Sequence, residues 1–93
     1  MLKIRRSANG KIVFTLSGRI EIEDVAELQR LLALELADRN LVLDLTDVTL
    51  VDREAVKFLK QCEVDSIELE NCPLYIREWV QRERGRNNRR RRQ

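Results

Sequence analysis

The chain has 93 residues, 43% hydrophobic and 37% charged, enough for one domain around one core and too few for two. Its formal charge of +2 is uneven: residues 82–93 hold seven Arg against one Glu, a balance of +6, which leaves −4 on residues 1–81. There is no histidine, which excludes Ser-His and Cys-His nucleophile schemes, and no apolar run nears the roughly 18–20 residues of a membrane span.

In chain order, LKIRR alternates Leu2 and Ile4 with Lys3 and Arg5, the two-residue period of a strand with one buried face. KIVFTLS repeats that period with Ile12, Phe14 and Leu16 on one side. Asn9-Gly10 lies between them and suits the positive φ angles of a tight turn, so the chain is expected to open with a β-hairpin. After Gly18 the period lengthens. Val25, Leu28, Leu32 and Leu36 are spaced by 3, 4 and 4, with Leu31 and Ala33 widening the stripe, and predict a helix over residues 23–39 that ends at Asn40.

LVLDL, residues 41–45, is nearly continuous in apolar residues, as expected for a central strand, and a loop is expected after it. From Asp52 to about Cys62 the pattern is helical, with Ala55, Phe58 or Leu59, and Cys62 on the inner side. SIELEN alternates again and predicts a fourth strand. PLYIREWVQRER follows as a helix with proline in its first turn and with Ile76, Trp79 and Val80 on one face. GRNNRRRRQ has nothing apolar to bury and is expected to be disordered. The order β-β-α-β-α-β-α predicts an α/β fold: a mixed four-stranded sheet, an N-terminal hairpin followed by parallel strands, with about three helices packed on it. Residues 1–81 would form the domain and residues 82–93 a basic tail.

Two stretches carry a resemblance to a known family. FTLSGRIEIEDVAELQRLL, with Leu16, Ser17 and Gly18, and LVLDLTDVTLVDREAVKFL resemble the second strand, turn and first helix, and then the central strand and signature helix start, of STAS domains. These are the small folds of anti-sigma-factor antagonists and their relatives in stress-signalling complexes, anion transporters and lipid-transport complexes. The resemblance spans roughly residues 2–79. It implies a non-enzymatic module for protein–protein interaction in a bacterial cytoplasm, without a cofactor, whose partner is an anti-sigma-type kinase or another signalling or transport subunit. Phosphorylatable members read Asp-Ser-Ser/Thr-Gly at the helix start, where helix N-terminal N–H groups favour an anion. Here Asp52 stands at the Asp, but Arg53, Glu54 and Ala55 follow, so no hydroxyl remains and the kinase-dependent switch is expected to be absent.

The expected partner surface therefore comprises Asp47, Thr49, Asp52, Arg53, Glu54 and Lys57. Asp52 also has a structural reading as helix N-cap, and the two roles are compatible. Arg53 and Glu54 are either solvated first-turn residues or contacts to a partner, since a guanidinium can pair bidentately with a carboxylate. Asp44, Asp47 and Asp52 do not suggest a metal site, since they are expected on a strand, a loop and a cap. Cys62 and Cys72 fit no metal spacing and are expected to be reduced and packed. Arg86, Arg89, Arg90, Arg91 and Arg92 lack interleaved aromatics. They form either a solubilising end or a salt-sensitive contact to nucleic acid or an anionic membrane, in which case the domain would serve an assembly role.

Overall fold

The computed structural model describes residues 2–35 and 40–91, with side chains for all of these except residue 9 and residues 86–91. Strands β1 (Leu2–Asn9) and β2 (Lys11–Ile20) pair antiparallel, and Gly10 at their tip has φ 86°, which glycine adopts without a Cβ penalty. Helix α1 (Ile22–Ala33) then crosses to β3 (Leu41–Val51), which runs parallel to β2. Helix α2 (Arg53–Val64) leads to β4 (Glu68–Glu70), parallel to β3, and α3 (Leu74–Arg91) closes the fold. The sheet order is β1-β2-β3-β4. Two successive right-handed crossovers in one direction put α1 and α2 on the same face.

Burial follows the periods of the sequence. Phe14 and Leu16 from β2, Leu43 and Leu45 from β3, Leu28 and Leu32 from α1, Val56, Phe58 and Leu59 from α2, and Ile76 and Val80 from α3 form one core. Trp79 packs against it half-buried, as a core-flanking side chain. Among the described residues no helix covers the opposite sheet face. Val42 points there and is still only 1% exposed. Lys11 on β2 and Glu68 on β4 are ion-paired at 4.0 Å across the strand that carries it.

Four expectations change. Helix α1 ends at Ala33, before residue 39: the Leu34 N–H still donates to the Arg30 carbonyl at 3.2 Å, but the Glu35 N–H turns back three residues to the Leu32 carbonyl at 3.0 Å, and the Glu35 side chain is held by Arg6 at 2.8 Å. Leu36 and the expected end at residue 39 lie outside the described residues. Strand β3 does not give way to a loop after Leu45 but runs to Val51, with register slips opposite Thr15/Ser17 and Gly18/Arg19. Each slip sets an extra β3 residue against β2, as a β-bulge does, so buried Leu45, Val48 and Val51 fall every third residue. Strand β4 is shorter than SIELEN, bounded by Ser66 and Asn71 at φ 67° and 56°.

The fourth change concerns the tail. The segment from Gly85, expected to be disordered, continues α3 as helix to Arg91. Packing of Ile76, Val80 and Glu83 anchors the first turns, and once a helix is nucleated the Arg residues extend it at little cost, which offsets the weak helix propensity of Gly85, Asn87 and Asn88. Arg84 also pairs with Glu63 at 3.2 Å, so packing reaches past residue 81. The side chains of Arg86, Arg89, Arg90 and Arg91, and all of Arg92, lie outside the described residues.

Both thiols are free. Burial, then the nearby Asp65 and Glu63 charges, push the Cys62 thiol up to about 12, while burial raises half-buried Cys72. An alkylating reagent at neutral pH should therefore modify Cys72 first and reach Cys62 only on unfolding. Since the unfolded thiol ionises near 9.0 and the folded one near 12, the unfolded state holds fewer protons between these values. Stability should fall as pH rises through that window, with a shallower fall in Cys62→Ala; equal slopes in a pH series of melts would contradict this.

Candidate functional site

The parallel strands β2 and β3 end together at Ile20 and Val51, and each hands the chain into a helix within two residues. The starts of α1 and α2 are therefore neighbours. Asp52 joins them: its Oδ1 accepts the Ala55 N–H at 2.9 Å inside α2, and its Oδ2 accepts the Ile22 N–H at 2.8 Å at the head of α1. Its own N–H donates to the Ile20 carbonyl at 3.2 Å. One carboxylate thus satisfies orphan donors of two helices and places a negative charge where both dipoles are positive. The sequence identifies the cap but not the second bond, which spans 30 residues.

The rest of the first turn of α2 faces solvent. Arg53, Glu54 and Lys57 are exposed, and Glu54 pairs with Lys57 at 3.5 Å, a surface contact worth a few tenths of a kcal/mol, about 0.3–0.5. Among the described residues Arg53 has no hydrogen-bond or ion-pair partner. A cation there opposes the helix dipole by about 0.3–1 kcal/mol.

Thr49 occupies the second bulge of β3. Its hydroxyl donates to the Gly18 carbonyl at 3.1 Å, and its own carbonyl accepts the Tyr75 hydroxyl at 2.7 Å. Tyr75 thereby pins the first turn of α3 to the end of β3. Exposed apolar side chains stand at the neighbouring element ends: Ile22 at the start of α1, Leu50 at the end of β3, and Leu74 and Tyr75 at the start of α3. Sequence reasoning missed these side chains, and spacing gave no warning: Ile22, three residues before Val25, reads as a continuation of the apolar stripe.

Asp47 is placed elsewhere. It pairs in register with Ser17, and its side chain lines a hollow of about 440 Å³ on the helix-free sheet face with Lys3, Ile4, Arg5, Thr15 and Ser17. The expected set is thus split between the helix start and the sheet face. Asp44 is a brace: the Thr46 hydroxyl at 2.6 Å lowers its carboxyl below the ordinary range, and the Thr46 N–H and the Asn71 amide donate to the same oxygen. Asp44, Asp47 and Asp52 do not converge on one point. Among the described residues, the acidic groups that could share a cation are Glu21, Glu23 and Asp24 at the head of α1, where Asp24 accepts the Glu21 N–H at 2.9 Å as part of the cap. No described helix is long and apolar enough to cross a membrane.

No family model matches the chain, and no curated protein matches it. Among solved structures it resembles an uncharacterized protein of the DUF3478 family from Shewanella loihica PV-4 with a SpoIIAA-like fold, at a TM-score of 0.53 and 19% identity. The likeness covers 73% of this chain and 61% of that one. The chain therefore has the SpoIIAA-like fold, the STAS-type α/β architecture expected from its two sequence stretches.

Proposed function

We propose that the protein is a non-enzymatic regulatory module of the cytoplasm that binds a protein partner through the end of β3 and the first turn of α2, residues 49–57, without phosphoryl transfer at position 53. The carrying observation is the division of labour at the helix start. Asp52 is taken up by two helix caps, while the neighbouring Arg53 is exposed, unpaired among the described residues and placed against the dipole. A cation kept where it costs stability is suited to meeting a carboxylate of a partner, and exposed Leu50 and Ile22 beside it offer the apolar contact that interface centres use. No hydroxyl stands at 53 or 54 to receive a phosphate. The non-enzymatic reading draws support from a chain without histidine and from two thiols held neutral by burial. Suitable partners are an anti-sigma-type kinase or another signalling or transport subunit.

The test is quantitative capture from lysate of the source cells by the native chain and by Arg53→Ala/Glu54→Ala. A protein retained by the native chain should fall at least about tenfold with the double variant, because truncating a central charged contact costs 1.4 kcal/mol or more. Equal retention by both would remove this surface from the account.

A further inference from the structure

The helix-free face of the sheet is not electrically uniform. Lys3 and Arg5 lie on it from β1, at one edge. Asp44 and Asp47 lie on it from β3, and Glu68 and Glu70 from β4, at the other. On β2 between them, Thr15 and Ser17 are hydroxyls, and Lys11 is already paired with Glu68. The register sets Lys3 opposite Ser17 and Ser17 opposite Asp47, so cation, hydroxyl and carboxylate form one row across three strands. These groups line the shallow, open hollow of about 440 Å³. Among the described residues, Lys3, Arg5 and Asp47 have no ion-pair or hydrogen-bond partner within the chain.

A ligand of one sign would satisfy one side of this face and be repelled by the other. A face that is basic at one edge and acidic at the other is matched by itself, turned about a two-fold axis parallel to the strands, which lays β1 of one copy over β3 of the other. We infer that this open sheet face joins two copies of the chain, with Lys3 and Arg5 of each copy in the hollow of the other and against its Asp47. The arrangement is isologous, each contact occurring twice, and packed sheets lie about 10 Å apart, within reach of Lys and Arg side chains. The short Thr15 and Ser17 side chains leave room for those longer ones.

The experiment is sedimentation analysis of the full chain across micromolar to millimolar concentration, at low and high salt, with circular dichroism confirming that each variant is folded. The native chain should form a dimer that salt weakens. Lys3→Glu/Arg5→Glu alone and Asp47→Lys alone should each weaken self-association by about 100-fold, because like charges then face each other twice. Mixing these two variants should restore a one-to-one heterodimer, since every contact is again between opposite charges. A native chain that stays monomeric throughout, variants that dimerise like the native chain, or a mixture that stays monomeric would each overturn the inference. No partner is present in this assay and Arg53→Ala/Glu54→Ala should dimerise normally, so its failure is separate from failure of the partner surface.

Discussion

Asp52→Ala should destabilise the protein by about 2–3 kcal/mol, more than an ordinary cap deletion, which costs about 1. The excess arises because two helices lose an acceptor at once. The Ala55 N–H loses its partner within α2, and the Ile22 N–H loses its partner at the head of α1. Hydrogen bonds to a charged group contribute about 1.5–3 kcal/mol each, offset here by the access that water has to a half-buried site. For a domain of this size the melting temperature should drop by roughly 10–20 °C. Asp52→Asn, which keeps one acceptor oxygen, should lose about half as much. Arg53→Ala, one residue on, should leave stability unchanged or raise it by about 0.3–1 kcal/mol while weakening partner binding. A loss of only about 1 kcal/mol in Asp52→Ala would mean that the two helix starts are not coupled through this carboxylate.

Leu43→Ala should have the largest effect of any single truncation considered, about 2–5 kcal/mol. Leu43 is fully buried in the middle of β3 and is flanked in register by Phe14 on β2 and Leu69 on β4. Both neighbouring strands are parallel to it and fixed by backbone pairing, so the cavity left by its isobutyl group cannot close without moving the sheet. The helices packed on that face share the same core, which transmits the loss from the sheet to them. Urea titrations would show a lower midpoint with an unchanged slope. Leu50→Ala, in the same strand but exposed, should stay within about 0.5 kcal/mol of the native chain. If the two truncations cost the same, the central position of β3 would be wrong.

The elements with clean periods were legible in the sequence. The hairpin followed from alternating Leu2, Ile4, Ile12, Phe14 and Leu16, and α2 from Ala55, Phe58, Leu59 and Cys62. The second half of β3 was not. Its two bulges move the inward positions to Leu45, Val48 and Val51, a three-residue spacing that matches neither strand nor extended apolar run. That same misreading put Asp47 in a loop beside the helix start, whereas strand pairing with Ser17 turns it to the open sheet face. The extension of α3 was hidden for another reason: a run of Arg has no apolar stripe to signal a helix, and the helix there is continued from turns packed upstream. Asp52 as a cap was readable from its position before Arg53, but its bond to Ile22 depends on tertiary contact and has no local signature.

The central claim is that residues 49–57 form the surface at which a protein partner is bound. Amide hydrogen exchange of the chain with and without the captured partner tests it most directly, since protection reports contact along the backbone without altering any residue. The expected result is slowed exchange over the end of β3 and the first turn of α2, including Thr49, Leu50, Arg53 and Glu54, with α3 beyond Arg84 and strand β1 unchanged. Protection confined to β1 or to the basic end of α3, with residues 49–57 exchanging as in the free chain, would contradict it.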